Sequence, residues 1–311
     1  MVLGPAPGAV VMGTGIVSIG LSLDGERALS VALLVIAAAV WLLAGAGLAA
    51  MVIGLGVHAL REPRSPGALT AIAATGVLGS RVQMLGWNAV AGALLAIAAC
   101  LWLLLVPRVL AGWQRRTTGT SFVLAVATES LAVLGAELAG ACGAGWLALA
   151  SLACLALGVA FYVLVVSGFD PRELLAGRGD QWVAGGALAI SALACAEIAL
   201  AAPGLAPIRD AHHALSTAAL VLWATAIAWL PPLVACEVVS PRLGYDPRRW
   251  STVFPLGMYA VSSFTVARLR GLGGIHDFAR VAIWIAFAVW VLVFAGLVRR
   301  AATAMSTRIA G

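Results

Sequence analysis

Long apolar stretches, separated by short groups of polar and turn-forming residues, fill the chain from near its start to near its end. Each stretch is close to the roughly 20 residues that a helix needs to cross the ~30 Å hydrocarbon core of a bilayer. Charged residues, glycine and proline cluster between them, as in REPRSPG at 61–67 and SPRLGYDPRR at 240–249, which is typical of connecting turns. The pattern predicts a single transmembrane domain over 1–311. Its ten predicted spans are 6–23, 29–57, 68–84, 86–106, 119–139, 144–166, 181–202, 211–234, 250–269 and 278–298.

Polar side chains are distributed unevenly among these ten spans. The odd-numbered spans carry most of the hydroxyl, amide and carboxyl groups, although span seven has few, whereas the even-numbered spans are more apolar. Span eight, with Ser216, Thr217 and Thr225, is an exception. Because polar atoms are costly in hydrocarbon, the polar spans are expected to face protein or water. The pattern predicts an all-α membrane protein of five helical hairpins, with odd helices inside and even helices outside. The alternative is that small polar residues only allow the helices to pack closely.

Composition and charge restrict the class of protein further. The chain is 62% hydrophobic and 10% charged, with a mean hydropathy of +1.04, which excludes a soluble domain. All 19 basic residues are arginine, and they lie mostly between the predicted spans. Their distribution favours an orientation with both termini on the cytoplasmic side. The expected location is a bacterial-type cytoplasmic (inner) membrane. The basic charge forms no stripe with interleaved aromatic residues, so no nucleic-acid partner is predicted.

Two stretches resemble the signatures of a known transporter family. VVMGTGIVSIGL at 10–21 and WSTVFPLGMYAVSSFTVA at 250–267 are similar to the first and ninth helices of the tellurite-resistance/C4-dicarboxylate transporter family. That family includes TehA-like bacterial proteins and plant slow-type anion channels. The first motif alone is common in membrane helices, but together with the W…FPLG sequence of the ninth span it is more specific. Together with the span count, the resemblance covers essentially the whole chain.

The resemblance implies an architecture and a function. The family fold is a pseudo-fivefold ring of helical hairpins whose odd helices line a central pore, usually assembled as a homotrimer in the lipid bilayer. By resemblance, a phenylalanine of the ninth helix closes an anion path; Phe254 is the candidate and Phe264 the alternative. The expected function is a channel or channel-like transporter for small inorganic or organic anions. The alternative is a proton-linked secondary carrier exporting a C4-dicarboxylate, sulfite or a related oxyanion.

An anion path needs positive potential and hydrogen-bond donors that do not hold the ion too tightly. Hydroxyls and uncovered backbone supply such donors. Arg81 either lies deep in the membrane or extends from the end of its span to the membrane interface. Glu129 is expected to pair with Arg81, to take part in proton coupling, or to bond neighbouring hydroxyls for structure. The predicted path residues are Gly13, Thr14, Gly15, Ser18, Thr75, Arg81, Thr128, Glu129, Ser262 and Ser263.

Enzymatic chemistry is not expected from this sequence. No metal-binding HExxH motif, pair of aspartates within spans, or nucleophile with a base is present, and every aspartate lies at or outside a span end. The five cysteines show no metal-ligand spacing and are interpreted as small packing residues. No catalytic residue, metal site or cofactor is therefore predicted.

Overall fold

The computed structural model describes residues 6–55, 65–175, 179–241 and 244–309. They form eleven α-helices joined by turns and short 3₁₀ helices, and the prediction of an all-helical protein is confirmed. The end of the predicted span 29–57 and the arginines at 61, 64, 178 and 242 lie outside the described residues. The helices are α1 (Ala6–Leu23), α2 (Arg27–Leu55), α3 (Thr70–Gln83), α4 (Asn88–Ala111), α5 (Val123–Cys142), α6 (Gly145–Ser167), α7 (Trp182–Ala201), α8 (His212–Ala228), α9 (Leu230–Val239), α10 (Trp250–Arg270) and α11 (Gly273–Ile309).

Most helices begin within a few residues of the predicted span, and the differences have local causes. The eighth predicted span is two helices, α8 and α9, because Pro231 and Pro232 lack the amide hydrogens that would continue α8. Both prolines are tolerated in the first turn of α9, where those hydrogens have no helical partner. Helix α4 continues through Pro107 to Ala111, beyond the predicted end at 106.

Each hairpin consists of an inner helix followed by an outer helix. We call α1, α3, α5, α7 and α10 the inner helices, and α2, α4, α6, α8, α9 and α11 the outer helices. Inner helices α5 and α10 are followed by Gly143 and Gly271, whose φ of +67° is the left-handed conformation that allows the tight turn into the next helix. Along the chain, α1 packs on α3, α3 on α5, α5 on α7, α7 on α10, and α10 on α1. The inner helices therefore contact one another in a closed cycle.

Burial separates the two groups of helices. In the most apolar part of the segments containing α5 and α7, 94% and 89% of the residues are buried. The corresponding share is 17% for α2, 22% for α4 and 28% for α6. Large apolar side chains on the outer helices are exposed, such as Leu43 at 73% and Leu103 at 65%. An exposed apolar perimeter around a buried centre is the arrangement expected of a multi-pass membrane protein.

Length and composition alone select fewer membrane helices than the ten predicted spans. Within the described residues, seven segments are long and apolar enough to cross a membrane. Helix α1 is apolar but shorter, and α3 and α10 are not among the seven. Those three helices are surrounded by the others, so they do not need side chains that lipid tolerates. The seven segments are Arg27–Met51, Asn88–Ala111, Gly119–Cys142, Gly145–Ser167, Trp182–Gly204, Ala206–Val239 and Gly273–Thr303.

Candidate functional site

A cavity of about 110 Å³ lies among the C-terminal halves of all five inner helices. Each helix contributes residues at helical spacing, so one face of each helix borders the cavity. The lining is mixed, with apolar side chains, small polar side chains and three charged residues. It consists of Ile16, Ile19 and Leu23 of α1, Gly76, Val77, Ser80, Gln83 and Met84 at α3, Ser130, Val133 and Glu137 of α5, Ile190, Leu193 and Glu197 of α7, and Met258, Val261, Thr265 and Arg268 of α10.

The three charged residues of the lining come from three different helices. Arg268 Nη2 lies 3.6 Å from Glu197 Oε2, which makes an ion pair that is partly open to solvent. Glu137 Oε2 is buried and has no hydrogen-bond partner among the described residues. The cavity thus combines one cationic group with two carboxyl groups.

Phe254 extends the cavity-facing side of α10. The residues Met258, Val261 and Thr265 lie on one face of this helix, and Phe254 is one helical turn before Met258 on the same face. Its side chain is buried, with 3% exposure. Phe264 is rotated away and packs edge-on against His276 of α11, with ring centroids 5.3 Å apart. The two candidate phenylalanines therefore face different surroundings.

Four of the predicted path residues, Thr14, Thr75, Thr128 and Ser263, each accept a recurring hydrogen bond between an outer and an inner helix. In each case a tryptophan of an outer helix donates its indole N–H to a hydroxyl near the middle of the inner helix of the next hairpin. We call these the tryptophan–hydroxyl bonds. They join Trp41 to Thr75 (2.9 Å), Trp102 to Thr128 (2.9 Å), Trp223 to Ser263 (2.7 Å) and Trp290 to Thr14 (3.0 Å).

In three of these four bonds the hydroxyl proton is directed into the inner helix itself. Thr75 donates to Ala71 O at 2.8 Å and Thr128 donates to Leu124 O at 2.9 Å. Ser263 donates to Tyr259 O at 2.6 Å. Each of these hydroxyls therefore accepts from an outer helix and donates to the carbonyl four residues earlier in its own helix, so both of its hydrogen-bonding roles are used.

Glu129 has a different partner from the predicted Arg81. Its Oε1 lies 2.6 Å from Ser191 Oγ of α7, and the residue is fully buried. The side chain packs against α6 at Gly158, where an added Cβ would collide with it. The prediction that Glu129 pairs with Arg81 is not met, because Glu129 faces α6 and α7.

Arg81 of α3 lies deep in the protein and faces α1 and α2, away from Glu129. It is 3% exposed, and its Nε donates to Ser18 Oγ at 3.2 Å and to Ser30 Oγ at 3.1 Å. The two serines also donate to each other's backbone carbonyl, both at 2.6 Å. Among the described ion pairs, none involves Arg81. The guanidinium group thus places a positive charge near the C-terminal ends of α1 and α3.

The remaining predicted path residues mediate helix packing. Gly13 lies against Trp250 and Val253 of α10, and Gly15 against Val77 of α3, with no room for a side chain. Ser262 donates to the Tyr259 carbonyl at 3.3 Å. In the described part of the chain, the cavity lining and the ten predicted residues do not overlap. That these ten residues line an anion path therefore stays a prediction.

Residue type alone selects the hydroxyls of the inner helices and carries no information on the direction of each side chain. Successive helical residues point about 100° apart, so Ser130 borders the cavity while Thr128, two positions earlier, faces α4. Arg268, Glu137 and Glu197 carried a signal, because each is a charged residue near the end of a polar span. Grouping the inner spans by helical face would have found them. Within the described residues, no group of histidine, cysteine or acidic side chains could hold a metal ion.

Comparison with known proteins adds the family. Residues 3–298 match the family model described as voltage-dependent anion channel. The chain belongs to this family. The resemblance to TehA-like proteins and plant slow-type anion channels is thereby confirmed, and the chain is a multi-pass membrane protein of an anion channel and transporter family.

Two curated relatives are membrane proteins of Mycobacterium tuberculosis. They are called uncharacterized membrane protein Rv1735c (strain H37Rv) and uncharacterized membrane protein MT1776 (strain CDC 1551). Each is 35% identical to this chain over 132 residues, which is 39% of this chain and 64% of the relative. The match thus spans slightly under two thirds of the length of these relatives, and their names assign no cargo.

Proposed function

We propose that the protein conducts small anions along the axis between its five inner helices and that Phe254 closes this path. The observation that supports the proposal is the cavity that all five inner helices share, with Phe254 one turn before its lining on α10. In this arrangement the five hairpins form a pseudo-fivefold ring, as in the family. We also propose that the protein forms a homotrimer, as in the family, and lies in the cytoplasmic membrane. The arginine distribution supports an orientation with both termini in the cytoplasm.

The charges near the cavity suit an anion path with weak binding. Arg81 and Arg268 supply positive potential near the C-terminal ends of the inner helices, while the apolar lining prevents tight coordination. A large aromatic ring across a narrow passage blocks ions by its size and by excluding water. Phe254, buried and on the cavity-facing side of α10, has the position and the chemistry for this role.

The experiment is chloride and nitrate flux into liposomes that contain the purified protein. Phe254→Ala should raise the flux at least roughly tenfold, which corresponds to a barrier lower by about 1.4 kcal/mol. Phe264→Ala is the matched control, because Phe264 packs against His276 instead of facing the cavity. It should leave the flux unchanged. If a correctly folded Phe254→Ala protein conducts no more than the wild type, Phe254 does not close the path.

A proton-linked carrier is the second candidate, and the cavity favours it through its carboxyl groups. Glu137 and Glu197 line the same space that an anion would cross. A carboxylate there repels anions, whereas its protonated form does not. An oxyanion such as sulfite or a C4-dicarboxylate would then move together with a proton.

A pH gradient distinguishes the two candidates in the same liposomes. A carrier accumulates sulfite or malate against its concentration gradient when protons flow inward, and Glu137→Gln should abolish this accumulation. A channel shows only downhill flux, whose driving force does not depend on the proton gradient. Accumulation that is unchanged in both Glu137→Gln and Glu197→Gln would exclude these carboxyl groups as the coupling site.

A further inference from the structure

One of the five junctions between hairpins is built differently from the other four. A junction is the contact between an outer helix and the inner helix of the next hairpin: α2 with α3, α4 with α5, α6 with α7, α8 with α10, and α11 with α1. Four junctions contain a tryptophan–hydroxyl bond. At the α6–α7 junction the hydroxyl is present as Ser191, but its neighbour is the carboxyl group of Glu129.

Glu129 occupies the space that an indole fills elsewhere. The tryptophan of α6 is Trp146, which lies in the first turn of the helix and is 72% exposed. The middle of α6 carries Gly158, and the side chain of Glu129 fills the space beside it. The carboxyl group thus reaches from α5 across α6 to Ser191 of α7.

The number of protons available at Ser191 determines the state of Glu129. Ser191 Oγ lies 2.6 Å from Glu129 Oε1 and 2.9 Å from Ala187 O, but the hydroxyl has a single proton. In the equivalent hydroxyls Thr75, Thr128 and Ser263, that proton goes to the carbonyl four residues earlier. If Ser191 does the same, its oxygen must accept a hydrogen bond from Glu129. Only the protonated carboxyl group can donate one.

The surroundings of Glu129 favour the neutral form as well. The residue has 0% exposure, and its Oε2 has no hydrogen-bond partner in the described part of the chain. Tyr162 of α6 is a neighbouring titratable group, and a tyrosine, with an ordinary pKa of about 10, carries no charge near pH 7. Arg81 is engaged by Ser18 and Ser30. An ionised carboxylate without a cation would be costly here.

We propose that Glu129 is a proton-binding site. It is held as the neutral acid at the α6–α7 junction, where it donates its proton to Ser191 and takes the place of the indole N–H found at the other four junctions. The ligand of this site is a proton, and no bond to it is made or broken during anion passage. The inference does not depend on the proposed anion path.

Infrared spectroscopy of the protein in liposomes tests the proton directly. The difference between wild type and Glu129→Gln should contain the C=O stretch of a protonated carboxylic acid, unchanged from about pH 5 to about pH 9, although a free glutamic acid ionises near pH 4.3. Glu137→Gln is the matched control, because Glu137 lies on the same helix but faces the cavity. Its band should change over this pH range. A Glu129 signal that is a carboxylate at neutral pH would overturn the proposal.

Ser191→Ala tests the partner with a readout that packing alone does not move. Loss of the acceptor should shift the Glu129 band to higher frequency, since a carboxylic acid that donates no hydrogen bond has a stronger C=O bond. A band that does not move would show that Ser191 is not the acceptor. If Glu129→Gln does not fold, ¹³C-glutamate labelling separates the glutamic acid bands from those of aspartic acid, and the labelled band that Ser191→Ala shifts is assigned to Glu129. The lack of such a band at neutral pH would overturn the proposal.

Discussion

Helices α4 and α5 are neighbours in the chain and in space, yet their surroundings are opposite. In the most apolar part of the more apolar helix, α4, 22% of the residues are buried, whereas the figure for the segment containing α5 is 94%. In a soluble protein the more apolar helix would be the more buried one. Because lipid is itself apolar, hydropathy here marks the helix that faces the bilayer. Polarity in a span therefore indicates a position inside the bundle.

One glycine from each group of helices shows the difference in packing. In the inner helix α7, Gly186 lies against Pro255, and an added Cβ would be 2.9 Å from two atoms of the proline ring. In the outer helix α4, an added Cβ at Gly92 would have no atom within 4 Å. Gly186 thus permits close helix contact, while Gly92 has no packing role.

The largest expected effect comes from filling an inner contact. Gly186→Val should destabilise the protein by about 3 kcal/mol, because the rigid proline ring cannot move away from the added methyl groups. Thermal unfolding in detergent measures the change. Gly92→Val is the matched control and should stay within about 1 kcal/mol of wild type. Equal effects at the two positions would show that the inner helices are not packed more closely than the outer ones.

A smaller effect is expected from the hydrogen bonds that connect the two groups. Trp102→Phe removes the N–H that Thr128 accepts but leaves the Thr128 hydroxyl bonded to Leu124 O. The loss should be about 1–2 kcal/mol in the same unfolding assay, from one hydrogen bond and some packing volume. Trp146→Phe is the control, since Trp146 is 72% exposed, and it should change stability by less than about 0.5 kcal/mol. If Trp102→Phe is as stable as the wild type in this assay, the tryptophan–hydroxyl bonds do not contribute to stability.

Much of the architecture was predictable because it depends on local composition. The apolar stretches located the helices, and the excess of polar groups in odd spans identified the helices that the structure buries. The split of the eighth span at Pro231 was missed, although two adjacent prolines were a signal for it. The ten-span topology stays a prediction, because the buried helices α1, α3 and α10 need not look like membrane helices.

The candidate site was less predictable because it depends on side-chain direction. Thr128 and Ser130 are both hydroxyl residues on one inner helix, but one faces an indole of α4 and the other the cavity. A choice by residue type treats them alike. Residue type likewise does not distinguish Phe254 from Phe264. In the structure they differ because Phe264 contacts His276.

The sequence by itself determined that this is a membrane protein of helical hairpins, and it carried the motifs that identify the family, because hydropathy and motifs are properties of contiguous residues. The tertiary structure decided which polar groups meet. Glu129 and Ser191 are 62 positions apart, and Trp290 and Thr14 are 276 apart. Such pairs form only when the inner helices close into a cycle, since that closure fixes the rotation of every helix about its own axis.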